Sequence, residues 1–333
     1  MSGSGSISDG NMPKFNRVLV VETAFPGDAV IATAVAEEIK RLQPETTITY
    51  LVRPEVADLI RCAPAIDEVK SFDKYGSDTG VEGIKRMAGE LTEGAYDVAF
   101  VLNPSTRNSA LIERSHIPNI RFLDDQHLAG RPRSEVFISI LSQDYQGFSG
   151  KTLPRLAPPM INGKFNLPSE YIVVAPGSVW ATKCWGAERF QSVVATFEEQ
   201  SIPSVIIGAI NDHQRGAIVA SGNALCVDLT GQTSFVEAAS IIACAQVVIA
   251  NDSAPVHIAT AVRTPVVAIF GPTVSEFGFA PPSEWGAVVE SEVWCRPCTS
   301  HGPEVCPIHT HDCMKRISVD QVLEATFLIT RVQ

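Results

Sequence analysis

From Arg17 onward, short runs rich in β-branched residues alternate with longer stretches of helical periodicity, and the alternation stops once and then starts again. This pattern predicts a parallel sheet covered by helices, built in two copies. In the first series, strands are expected at residues 18–21, 47–52, 69–72 and 97–102, with helices over 29–42, 56–62 and 83–92. Between residues 147 and 168 the periodicity is lost while Pro154, Pro158, Pro159 and Pro168 accumulate, which marks a linker. In the second series, strands are expected at 171–175, 204–208, 226–229, 247–250 and 266–270, with helices over 187–200, from Asp212, over 234–244 and over 255–262.

The chain of 333 residues is long enough for two cores. It divides into a tail over 1–15, an α/β domain over 16–155, a second α/β domain over 156–317, and a terminal helix over 318–333 that is expected to cross back to the first domain. The apolar runs fall far short of the roughly 20 residues a membrane-spanning helix needs. A net charge of -11 offers no field to attract polyanions, so nucleic acid is not an expected partner and any phosphate must be held locally. Cys62, Cys184, Cys226 and Cys244 stand isolated, as in a reduced, cytosolic chain.

Two such domains would enclose a cleft at the C-terminal ends of both sheets, so the loops that follow strands should carry the chemistry. Asp28, after Pro26-Gly27, places a carboxylate at a helix start, where it either takes a proton from an incoming hydroxyl or simply caps the helix. The loop from Pro176 to Trp185 combines small residues with the Ser178 and Thr182 hydroxyls and the Lys183 ammonium, a set that suits a phosphate. Asp212 follows another strand, as a ribose ligand or a plain helix cap. Asp252, Ser253, Ala254 and Pro255 open a helix whose free amides would face a diphosphate, with Asp252 on a sugar hydroxyl. His257 reads more readily as a packed helix residue that orients this loop. Gly271 and Thr273 add donors on the same face.

Cys295, Cys298, Cys306 and Cys313, with His301, His309 and His311 among them, could form a structural zinc or iron site, or equally a reduced loop or two disulfides. Four thiolates would leave no open coordination position, so a catalytic metal is not expected there.

The residues carry a resemblance over about 17–317. Gly27-Asp28, Pro176-Gly177-Ser178 with Thr182-Lys183 and Trp185, Leu229-Thr230-Gly231, Asn251-Asp252-Ser253 with His257, and Phe270-Gly271-Pro272-Thr273 together resemble the ADP-heptose:lipopolysaccharide heptosyltransferases, glycosyltransferase family nine. The resemblance implies a GT-B fold, two Rossmann-like domains facing each other across a cleft, with the acceptor on the first and the nucleotide sugar on the second. It implies inversion at the anomeric carbon with no cofactor or metal required for catalysis, Asp28 as general base, and Ser178 and Lys183 on the diphosphate. It further implies an ADP-sugar donor, a glycolipid or glycan acceptor, and peripheral contact with the inner face of the membrane. Arg53, Arg107, Arg131 and Arg133 on first-domain loops are candidate acceptor contacts or ordinary solvated arginines. The chain departs from the family pattern at Ala34, Gly186 and Ala254, none of which removes a functional group. Two other classes compete: a sugar-nucleotide epimerase of the same shape, and a non-catalytic, metal-stabilised binding protein.

Overall fold

The computed structural model describes residues 14–126, 128–161 and 163–331, so nearly all of the expected N-terminal tail lies outside it. The first domain runs β1 (Arg17–Val21), α1 (Pro26–Ile31), α2 (Thr33–Leu42), β2 (Thr47–Val52), α3 (Pro54–Ile60), β3 (Glu68–Ser71), α4 (Gly80–Glu93), β4 (Val98–Val101), α5 (Thr106–Arg114), β5 (Asn119–Phe122) and α6 (Arg133–Ile138). Its strands pair in parallel in the order β3-β2-β1-β4-β5. β1 lies at the centre and has helices on both faces, so Val18 to Val21 are all fully buried, which is why the run is continuously apolar rather than alternating.

The single helix expected over 29–42 is two. The chain turns at Ala32, where the Thr33 hydroxyl donates to the Val30 carbonyl at 2.8 Å and accepts the Arg155 amide at 3.3 Å. The linker is therefore stitched to the break. β5 was not anticipated because it is a short edge strand of mixed polarity, half exposed along its length.

The second domain runs β6 (Ile172–Ala175), α7 (Ala187–Glu199), β7 (Ser204–Ile206), α8 (His213–Ala220), β8 (Cys226–Asp228), α9 (Phe235–Ala243), β9 (Val248–Asn251), α10 (Ala254–Val262), β10 (Val266–Phe270), β11 (Gly286–Glu290), α11 (Asp312–Lys315) and α12 (Val319–Arg331). All its strands are parallel, in the order β11-β10-β9-β6-β7-β8. The terminal helix α12 does not cross back to the first domain. Its apolar face, with Val322 buried and Leu323 and Phe327 beside it, packs on α7, β10 and β11 of the second sheet. Among the described residues no helix is long and apolar enough to cross a membrane.

One continuous apolar core runs through both domains, joining β1 and α1 to β9 and α10. Across the seam α1 packs against α10 so tightly that a Cβ on Gly27 would lie 2.6 Å from the His257 ring. Backbone bonds from Ala157 to Cys62 at 2.7 Å and Arg133 to Gly278 at 2.8 Å tie the domains further, and the linker is anchored by the bond from Leu156 to Ala261 at 3.1 Å. The C-terminal ends of both sheets meet across this seam, which is where doubly wound sheets leave room for ligands.

Candidate active site

A cavity of about 620 Å³ opens between the two domains. Phe25, Gly27 and Asp28 line it from the loop after β1, while Ser178, Lys183, Asp212, Asp252 and Ser253 line it from loops after β6, β7 and β9. Ile207, Phe235, Ala238 and Ile242 form an apolar wall at the second-domain end.

Asp28 stands in the first turn of α1, whose cap position is held by Phe25; its carboxyl takes the backbone amides of Asp28 and Phe25 and also lines the cavity, so it serves the helix start and faces the cleft at once. Burial raises its pKa above the ordinary carboxylate range, opposed by the charges of Arg133 and His301 and by the backbone amides of Asp28 and Phe25. Behind it lies Glu22, which is almost inaccessible, accepts the Ala24 amide at 2.7 Å, and is pushed up to about 8 by burial and then by the Asp28 charge. Burial and like charge together disfavour two negative charges on this pair.

On the opposite wall, Lys183 Nζ lies 2.6 Å from Asp252 Oδ2, and the Thr273 hydroxyl donates to the same oxygen at 2.6 Å. Asn251 fixes this loop pair. Its amide donates to the Pro176 carbonyl at 2.8 Å and its oxygen accepts the Trp185 amide at 3.1 Å, so the β9 loop and the Lys183 loop move as one body. Ser253 holds the cap position of α10 without a side-chain cap bond and lies with Ala254 and Pro255 on the cavity wall, leaving a helix start suited to an anion. His257, one turn on, is buried between Gly27 and Phe279, and burial, then the Lys183 charge, lowers its pKa to about 4 against the pull of Asp252. It is a neutral, packed residue that seals the seam.

The glycosyltransferase family 9 (heptosyltransferase) model matches residues 148–308. A lipopolysaccharide heptosyltransferase 3 of Escherichia coli is 31% identical over 284 residues, covering 75% of this chain and 82% of that one. The chain belongs to glycosyltransferase family 9. Two solved structures share the fold: a family 9 glycosyl transferase from Veillonella parvula, with a TM-score of 0.81 at 22% identity over 96% of this chain and 98% of the other, and E. coli ADP-heptose lps heptosyltransferase II, with a TM-score of 0.76 at 20% identity over 95% and 99%. The architecture is GT-B.

In this family 9 chain several of the expected residues stand elsewhere than the sequence suggested. Thr182 is buried with its hydroxyl bonded to the Pro303 carbonyl, and it does not line the cavity. Gly271 packs against Met314, and Thr273 reaches the site only through Asp252. Asp212 lines the cavity but is partly spent, accepting the Ala209 amide at 3.1 Å and pairing with Arg215 at 3.3 Å. Arg53 and Arg107 gather with Lys74 around the exposed Tyr75 ring at 5.2, 5.5 and 5.3 Å, a cationic cluster at the sheet end of the first domain. Arg131 lies apart from this cluster and from the cavity.

Among the described residues no group of three or more His, Cys, Asp or Glu side chains is arranged to hold a metal ion. Cys313 is buried in the apolar core beside Met314, the Cys298 thiol turns to the Cys295 carbonyl at 3.6 Å, and Cys306 accepts the His311 amide at 3.4 Å. All four are free thiols.

Three participants escaped the sequence reading in their actual roles: Glu22 behind Asp28, Arg133 facing the carboxyl pair, and His301 on the cavity wall. Glu22 carried a signal, an acid ending an otherwise apolar strand. The other two are brought in by tertiary contact alone.

Proposed function

We propose that this family 9 chain transfers heptose, or a closely related sugar, from its ADP conjugate to a hydroxyl of a lipopolysaccharide core or another surface glycan, with inversion. The observation that carries this reading is that one cavity has a carboxyl, Asp28, on its first-domain wall and the Lys183–Asp252 pair on its second-domain wall. Asp28 takes the proton of the acceptor hydroxyl as its oxygen bonds to the anomeric carbon. The bond from that carbon to the β-phosphate oxygen breaks, and ADP leaves with the electron pair. Lys183 and the first amides of α10 meet the charge that grows on the diphosphate, an electrostatic task that a metal ion performs in other transferases.

The apolar wall of Ile207, Phe235, Ala238 and Ile242 suits a flat base, and ADP-heptose is the donor in the name of the E. coli neighbour. The Arg53, Lys74 and Arg107 cluster suits an anionic acceptor, which for a glycolipid brings the enzyme to the inner face of the membrane.

Isothermal titration with ADP, UDP and GDP, without added divalent metal and repeated on Lys183→Ala, tests the donor side. Preference for ADP that Lys183→Ala weakens supports the reading. A preference for UDP, or no binding of any nucleotide, sinks it. Release of ADP and appearance of a heptosylated product, rather than an altered sugar nucleotide, separate transfer from epimerisation.

A further inference from the structure

The segment 295–313 was expected to act, if at all, as a structural knuckle. It is instead built into the wall of the cleft. The Cys298 amide donates to the Pro272 carbonyl at 2.8 Å, and Arg296 donates to the Thr273 carbonyl at 2.6 Å. His311 Nε2 lies 2.6 Å from the Thr182 carbonyl, and the Thr182 hydroxyl bonds to the Pro303 carbonyl. Gly302 packs against the Lys183 stem so closely that a Cβ there would lie 3.2 Å from Lys183 Cε. The turn between Cys298 and Gly302 is fixed by the Thr299 hydroxyl, which accepts the amides of His301 at 3.3 Å and Gly302 at 2.8 Å.

Within this segment, the His301 imidazole reaches the cavity, and among the described residues its ring makes no hydrogen bond. His301 lines the cavity, and its ring centroid is 6.1 Å from that of Phe25, in the loop that ends at Asp28. Its neighbour Gly302 touches Lys183. The imidazole thus lies close to the Asp28 loop on one side and, through Gly302, to the stem of Lys183 on the other.

We propose that His301 binds the transferred sugar, hydrogen-bonding one of its hydroxyls and so holding the anomeric carbon between Asp28 and the diphosphate. This rests on the transferase reading above. The two ring nitrogens of an imidazole are both able to hydrogen-bond a sugar hydroxyl. Because the segment also grips Thr182, Thr273 and Lys183, the sugar contact and the phosphate contact are held on one framework.

The test is isothermal titration of wild type, His301→Ala and His301→Gln with ADP and with ADP-heptose, without acceptor, alongside thermal midpoints. Loss of one hydrogen bond should weaken ADP-heptose by about tenfold in His301→Ala, leave ADP within about twofold, and be partly restored by the glutamine amide. Equal weakening of both ligands, or a lowered midpoint that accounts for the change, would make His301 a brace for Lys183 and overturn the proposal. Unchanged affinity for both would overturn it as well. Wild type that binds ADP but not ADP-heptose would remove the donor assignment, and this inference with it.

Discussion

Lys183 and Asp252 meet at 2.6 Å across two different strand-end loops, and the same Asp252 oxygen takes the Thr273 hydroxyl. The ammonium is therefore aimed before any ligand arrives, which lowers the cost of ordering it on binding. Both groups are largely buried, with side-chain exposures of 12% and 6%, so truncating one strands the other. Asp252→Ala should lower stability by about 2–3 kcal/mol, less than a pair sealed in the core because the cavity side is open to solvent. Urea denaturation measures it. A loss of only a few tenths would mean that the pair is loosely held.

Asp28→Asn keeps the shape of the side chain and removes its basicity. Turnover should fall by ~10²-fold or more, with ADP affinity retained. Because burial raises the Asp28 pKa, wild-type turnover should decline on acidification from above the usual carboxylate range. ADP release followed across pH checks both. Equal turnover in wild type and Asp28→Asn would reduce Asp28 to a structural residue.

Gly27→Ala probes the seam between α1 and α10. The added methyl would meet the His257 ring at 2.6 Å, and the ring is held on its other side by Phe279. The domains must part or the helices shift, which should cost roughly 1–3 kcal/mol. A denaturation midpoint matching wild type would show that the seam gives easily.

Glu22 supplies a pH signature of stability. Its pKa is about 8 in the fold, raised by burial and by Asp28, against 4.5 for an ordinary glutamate, so the folded state binds the extra proton between those values. Its contribution is fully present below about pH 4.5 and is lost as pH rises through 8. Glu22→Gln holds a neutral amide throughout and should gain stability relative to wild type as pH rises from 5 to 8, by up to roughly 4 kcal/mol. Parallel stability curves for the two proteins would show that Glu22 is already ionised in the fold.

The two α/β series were legible in the sequence because strand and helix each write a local period, and because Pro and Gly punctuate the chain where the elements end. β5 and β11 were not, since edge strands with one half-exposed face lack the apolar run that marks a central one. The break at Ala32 was hidden because nothing in its local composition forbids a helix, and it is the distant Arg155 amide that takes up the Thr33 hydroxyl.

The sequence by itself determined which segments border the cleft. Asp28, Lys183, Asp252 and Ser253 each lie between the end of a strand and the helix that follows or in its first turn, and parallel sheets place all such positions on one edge. Tertiary structure alone decided what those residues meet. Thr182 is turned to Pro303, α12 stays on its own sheet, and Arg133 and His301 arrive beside Asp28 from distant segments. The reason is physical: a strand or a helix start is a local conformational preference, whereas the charge, burial and partners of a side chain are set by packing between segments that no local pattern encodes.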